Sequence, residues 1–126
     1  MAEAGANCAI VSYEPPKEYL TAEQQDGEKL CSAQVYEETM QWLIEQGCER
    51  LIPAQLVQDY AQATARHIQS EKYLSEYGLI AKHPTTGEPT VSPFHKMNIE
   101  SQKLAVQLWS QIYAVVKTHA ERIYLW

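Results

Sequence analysis

A stretch rich in proline and glycine, residues 78–93, interrupts an otherwise helical chain of 126 residues. Its first residue, Gly78, suits the position that follows a helix, where the backbone often turns into a left-handed conformation. Its last residue, Pro93, suits the first turn of a helix, because an N–H group at that position has no intrahelical partner in any case. The segment is therefore predicted to connect two helices.

Two short runs within this connector, residues 79–83 and 88–92, flank a Thr-Thr-Gly turn at residues 85–87. Two extended runs separated by a turn that contains glycine are typical of a β-hairpin. Pro84 and Pro89 keep the strands short, because proline donates no hydrogen bond to a strand ladder. The connector therefore predicts a small hairpin between the two helices.

Apolar residues at helical spacing predict another helix earlier in the chain, from Ser32 to Gly47, with Tyr36 and Met40 on its apolar face. The Thr-Ala-Glu-Gln sequence at residues 21–24 has the form of a capping box, which predicts a short helix that starts there. The alternative is that the first helix starts only at Ser32, which is an equally good prediction.

Two longer helices flank the connector. The first is predicted to begin at Pro53 and to end at Gly78, and the second covers residues 93 to about 123. The apolar residues of this last helix fall on two neighbouring faces: Met97, Leu104, Leu108, Ile112 and Val115 on one, and Val106, Trp109, Tyr113 and Val116 on the other. One partner helix covers only part of such a surface, so we expect self-association, unless the N-terminal helices cover the second face within one monomer.

These elements predict an all-α protein with N-terminal short helices, followed by a long antiparallel helix pair joined by a small β-hairpin. Residues 1–20 contain two consecutive prolines and little periodicity, which predicts an extended or disordered arm. Residues 21–126 have the length of a single helical domain. Within it, residues 21–52 form the N-terminal helices and residues 53–126 form a helix-hairpin-helix assembly core.

The start of the chain has no basic segment followed by an apolar stretch, and no apolar run has the length that a membrane helix needs. We therefore expect a cytoplasmic protein with no membrane partner. The three cysteines are odd in number and lack Cys-x-x-Cys spacing, so they predict reduced structural thiols and neither a disulfide framework nor a zinc site.

No motif for catalysis is present in the sequence. The four histidines show no His-Glu-x-x-His arrangement, and the chain has neither a phosphate-binding glycine loop nor a nucleophile elbow. We therefore expect no catalytic residue, no metal site, no cofactor and no enzymatic activity. A small metal-dependent enzyme is the alternative, and it would need at least two histidines and a carboxylate to converge in the fold.

The net charge of −6 is unevenly distributed, because residues 1–50 carry ten acidic and three basic side chains. An acidic surface repels a phosphate backbone, so a nucleic-acid contact should come from basic groups elsewhere. Tentative candidates lie around the connector: Arg66, Lys72, Lys82 and Lys96. The alternative is a polar turn with solvated charges.

The apolar centre of the last helix gives the candidates for the oligomer interface and the core: Leu108, Trp109, Ile112 and Tyr113. Trp109 and Tyr113 lie within apolar stripes and not among basic groups, which favours packing over stacking on nucleic-acid bases.

The order of these motifs resembles that of phage terminase small subunits, of the type found in prophages of Gram-positive bacteria. The shared pattern is a helix with a Tyr-Ala pair, here Tyr60 and Ala61, then a glycine-led turn with a Thr-Gly hairpin, a proline and a final long helix. The matching segments are residues 51–61, 66–78, 82–87, 92–93 and 108–113. Residues 13–50 match more loosely.

The resemblance implies a helical, non-catalytic subunit that assembles as a ring-like homo-oligomer in the host cell cytoplasm. Such a subunit recognises viral double-stranded DNA and delivers it to the terminase large subunit, which carries the ATPase and nuclease activities. An alternative from another class is a helical protein-interaction adaptor that binds its partner through the acidic half and does not bind DNA.

Overall fold

A computed structural model of the protein describes residues 14–25 and 27–124, with side chains as far as residue 122. The described part is mainly helical and has one small antiparallel sheet, which confirms the predicted helical class and hairpin. In chain order the elements are a 3-10 turn at Glu18–Leu20, α1 (Ser32–Glu45), α2 (Ala54–Tyr77), β1 (Ile80–Lys82), β2 (Pro89–Val91) and α3 (Pro93–Tyr124).

The predicted helix start at residues 21–24 is wrong, because this segment forms a turn. Glu23 and Lys29 pair in an isolated antiparallel β-bridge, and the N–H of Gln24 donates to the carbonyl of Glu28 at 2.7 Å. Gly27 permits this reversal with a φ of 85°, a left-handed conformation that favours glycine. The capping-box pattern was therefore overruled by the turn that follows it, and the alternative helix start at Ser32 is the one observed.

Helix α1 ends in a Schellman motif. The N–H of Cys48 donates to the carbonyl of Leu43 at 2.8 Å, and the N–H of Gly47 donates to that of Ile44 at 3.0 Å. Both Leu43 and Cys48 are fully buried, which is the apolar contact that usually accompanies this motif. The short loop that follows then brings the chain to Pro53, which precedes α2.

Helices α2 and α3 lie side by side and run in opposite directions. The rings of Tyr73 and Phe94 are 4.7 Å apart near the hairpin, and those of Tyr60 and Trp109 are 5.4 Å apart farther away. The core lies at this farther end, where α1 joins the pair. Its buried members are Leu20, Tyr36, Met40, Leu43, Cys48, Ile52, Val57, Ala61, Ile112 and Val116.

The segment that precedes the first helical turn lies against α1 and α2. The Tyr36 hydroxyl donates to the carbonyl of Glu14 at 2.6 Å, and the N–H of Lys17 donates to Oε1 of Gln58 at 2.9 Å. Leu20 is buried in the same core as the helices. The predicted arm at residues 1–20 is thus docked over residues 14–20, whereas residues 1–13 lie outside the described residues.

The hairpin pairs Ile80 with Val91 and Lys82 with Pro89. Residues 82–91 are all exposed, and only Ala81 in the strands is partly covered. The hairpin therefore projects from the helical body.

Candidate functional site

The tip of the hairpin is held by side-chain contacts to the backbone. Nδ1 of His83 accepts hydrogen bonds from the N–H groups of Thr85 and Thr86, at 3.1 and 3.3 Å. The Thr86 hydroxyl in turn accepts from the N–H of Glu88 at 3.3 Å. The side chain of His83 therefore organises the turn.

Two of the four candidate cations lie at opposite ends of the connector. Lys82 is exposed at the end of β1 that leads into the turn. Lys96 lies in the first turn of α3, where its Nζ is 3.9 Å from Oε1 of Glu100. This ion pair has highly exposed partners, so it contributes little energy and leaves the ammonium group accessible.

The other two candidate cations, Arg66 and Lys72, contact the segment that precedes α1. Nη1 of Arg66 donates to Oε1 of Gln24 and to Oε1 of Gln69, both at 3.0 Å. Nζ of Lys72 is 3.5 Å from Oε2 of Glu28. These side chains therefore fasten a loop to α2, a role that the sequence did not predict.

The four cations thus fall into two groups. Arg66 and Lys72 share the surface of α2 that faces residues 23–31, whereas Lys82 and Lys96 belong to the hairpin and the helix start that follows it. Lys82 is the member of the second group that lies on the projecting hairpin, where it is accessible to a phosphate backbone.

The four interface candidates on α3 differ in exposure. Ile112 is fully buried, and Trp109 is half-buried, with its ring 5.4 Å from the rings of both Trp42 and Tyr60. Leu108 is also half-buried, whereas Tyr113 is 49% exposed. Trp109 and Ile112 therefore serve the core of one chain, and Tyr113 is the residue left open to a partner.

Two further apolar side chains of α3 are open to solvent, Leu104 at 47% and Val106 at 59% exposure. The sequence placed Leu104 on the same face as Ile112, but the buried line of the helix instead contains Asn98, Ile112 and Val116. Apolar residues cover so much of the circumference of α3 that the sequence does not identify its buried face. The contacts with α1 and α2 determine which residues are buried.

Asn98 is a buried polar residue that the sequence reading missed. Its Nδ2 lies 3.0 Å from Oγ of Ser70, 2.8 Å from Oε1 of Glu71 and 3.4 Å from Nδ1 of His67. Its position could have predicted its burial, because Asn98 lies two heptads before Ile112 and therefore on the same face of the helix. Hydrogen bonds of this kind favour one register of α3 against α2.

The two described cysteines are free thiols, Cys31 half-buried and Cys48 buried. Burial raises the pKa of the Cys48 thiol, and the neighbouring carboxylate of Glu49 raises it further. Among residues 14–25 and 27–124, no three or more potential ligands converge as they would around a metal ion. No described helix is long and apolar enough to cross a membrane.

The chain matches no protein-family model, no curated protein and no solved structure. What supports a function is therefore the geometry of the hairpin and the helices, together with the order of the sequence motifs.

Proposed function

We propose that this protein is the small subunit of a phage DNA-packaging terminase. It acts as a ring-like homo-oligomer in the host cell cytoplasm, recognises viral double-stranded DNA and delivers it to the large subunit. Catalysis belongs to that large subunit, so this chain has no catalytic residue. The observation that carries the proposal is the projecting hairpin between two long helices, within the segment where the motif order resembles this family.

The hairpin supports DNA binding because it is exposed over residues 82–91 and has an organised tip. Lys82 lies beside this tip, and Thr85 adds an exposed hydroxyl group. Such groups bind phosphate oxygens, which position a protein on a duplex without reading its sequence. Lys96, in the first turn of α3, adds a second exposed cation after the hairpin.

The open apolar side chains of α3 support assembly. Leu104, Val106 and Tyr113 are each about half-exposed, whereas Ile112 and Val116 of the same helix are buried in the core. Exposed apolar residues that cluster along one element often mark an interface with another protein.

A second candidate function is a protein-interaction adaptor that does not bind DNA. It is favoured by the acidic contacts of two candidate cations, Lys72 with Glu28 and Lys96 with Glu100. The net charge of −6 points the same way, since it opposes a long-range attraction to DNA.

The two functions are separated by reversing the charge of the hairpin cations. We expect the double variant Lys82→Glu/Lys96→Glu to bind a fluorescent DNA duplex at least about tenfold more weakly at low salt, and to reduce the salt slope by about 2, because two phosphate contacts are lost. Fluorescence anisotropy over a salt series measures both quantities.

The matched control is Lys17→Glu/Lys29→Glu, which changes the net charge equally at two exposed lysines far from the hairpin in sequence. An equal loss of affinity in this control would indicate a general charge effect. Unchanged affinity in the hairpin variant would reject the site, and a wild-type chain that fails to bind at low salt would favour the adaptor.

A further inference from the structure

A groove of about 460 Å³ opens on one side of α3, where this helix meets α2. Its apolar lining comes from Ala63, Leu104 and Leu108, with the ring of Tyr19 at the edge. Asp59 and Glu100 add two carboxylates, and Arg66 adds one cation, whose Nη1 is already hydrogen-bonded to Gln24 and Gln69. The groove is therefore apolar inside, and the charges of its own lining sum to −1, with Lys96 ion-paired to Glu100 beside it.

The other flank of α3 carries two exposed apolar side chains, Val106 and Tyr113, which we call the knob; Tyr113 also lines a groove of about 570 Å³ together with Trp42. Residues two positions apart on a helix point about 200° away from each other, so Val106 faces away from Leu104. Ala105 lies between them and is half-covered, seven residues before the buried Ile112. The groove and the knob therefore lie on opposite flanks of the buried line.

The two surfaces are complementary in length and charge. Val106 and Tyr113 are about 10 Å apart along the helix, and the groove extends along α3 from Glu100 to Leu108, which is about 12 Å. Lys103 precedes the knob by one turn and Lys117 follows it by one turn, and both are exposed. Glu121 is an exposed acidic residue on the same flank, and it offsets only one of the two lysines. This flank therefore has a net positive charge.

We infer that the knob of one copy of this chain inserts into the groove of the next copy, with Lys103 and Lys117 near the acidic groove. This inference deepens the ring assembly of the proposed function and rests on it. Two different surfaces on opposite flanks form a heterologous contact, which closes into a ring or continues as a filament. A two-fold dimer would instead need one surface that is complementary to itself.

The test uses one variant that blocks the groove, Leu104→Asp, and one that removes the knob, Val106→Asp/Tyr113→Asp. Light scattering should give the wild-type chain as an oligomer and each variant alone as a monomer of about 14.4 kDa. A mixture of the two variants should form a 1:1 dimer of twice that mass, because each variant retains the surface that the other lacks. The control Gln107→Asp, an exposed position on the same helix, should assemble like the wild type.

Circular dichroism checks that each variant is folded. A second measurement changes only charged residues. Reversing the charge of the knob flank with Lys103→Glu/Lys117→Glu should weaken assembly. Reversing the charge of the groove as well, with Asp59→Lys/Glu100→Lys in the same chain, should restore it. A groove or knob variant with the wild-type mass, or a mixture that stays monomeric, would overturn the pairing. A monomeric wild-type chain would overturn it as well, while DNA binding, measured separately by anisotropy, would decide the rest of the proposed function.

Discussion

The two ends of the α2–α3 pair are built in different ways. At the end where α1 joins them, Tyr36, Leu43 and Ile112 are completely buried. At the hairpin end, Tyr77, Ile80 and Val91 are each more than half-exposed. Apolar burial therefore stabilises the first end, whereas turn chemistry and polar contacts shape the second.

The comparison separates stability from proposed function. Residues that contact a phosphate backbone must be accessible, and the hairpin provides accessibility by projecting from the body. Apolar residues that stabilise the fold must be buried away from water, and α1 covers them at the other end. Substitutions at the two ends should therefore affect different measurements.

The largest expected effect is at the buried end. We expect Leu43→Ala to lower the free energy of unfolding by about 2–5 kcal/mol, because it leaves a cavity in a side-chain cluster that has no access to water. Chemical denaturation followed by circular dichroism measures this change. The matched control is Leu51→Ala, where the same deletion affects a side chain that is 52% exposed and should cost less than about 1 kcal/mol. Equal losses at the two leucines would contradict the role of apolar burial at this end.

An intermediate effect is expected at Asn98, which joins the two long helices between the ends. Asn98→Asp places a carboxylate where Nδ2 now lies 2.8 Å from Oε1 of Glu71, and should lower the free energy of unfolding by about 1–3 kcal/mol at neutral pH. Burial and the charge of Glu71 would raise the pKa of the introduced carboxyl group above its unfolded value.

The sign of the pH dependence follows from this direction. Between the unfolded pKa, about 4, and the raised folded pKa, the folded state binds more protons, so the variant loses stability as pH rises through that window. Denaturation at pH 4 and pH 7 should show the smaller defect at pH 4. Gln107→Glu, an amide-to-carboxylate change on the exposed side of α3, should show little of this dependence, and a defect in Asn98→Asp that does not vary with pH would contradict the explanation.

The smallest effect on global stability is expected at the hairpin tip. His83→Ala removes the acceptor for the N–H groups of Thr85 and Thr86, so their hydrogen exchange should become faster. The free energy of unfolding should change by less than about 0.5 kcal/mol, because the tip contributes little to the core. Thr90→Ala, an exposed position in β2, serves as the control that leaves both bonds in place. A large global loss would show that the two ends are coupled.

Much of the architecture was predictable because its signals are local. Gly78 and Pro93 are observed at the helix end and helix start for which their backbone preferences suit them. The Thr-Thr-Gly turn lies within the observed hairpin, where Gly87 has a φ of 75°. The helix start at residues 21–24 was mispredicted, because a capping-box sequence also occurs outside helices, here just before a turn.

The candidate site was less predictable, because it depends on which residues meet across the fold. The sequence proposed Arg66 and Lys72 as DNA contacts, and it did not reveal that both also contact the loop before α1. It proposed Trp109 for the interface or the core without naming its partners, and the structure packs its ring against Trp42 and Tyr60. Nothing in the spacing of these residues along the chain reveals such long-range partners.

The sequence by itself determined the helical class, the position of the hairpin and the apolar width of the last helix, because glycine, proline and periodicity act within a few residues. Only the tertiary structure decided which stripe of α3 is buried, where Asn98 finds its partners, and that a groove and a knob lie on opposite flanks. These features depend on how three helices share one core, and burial is a property of that shared packing and not of any single segment.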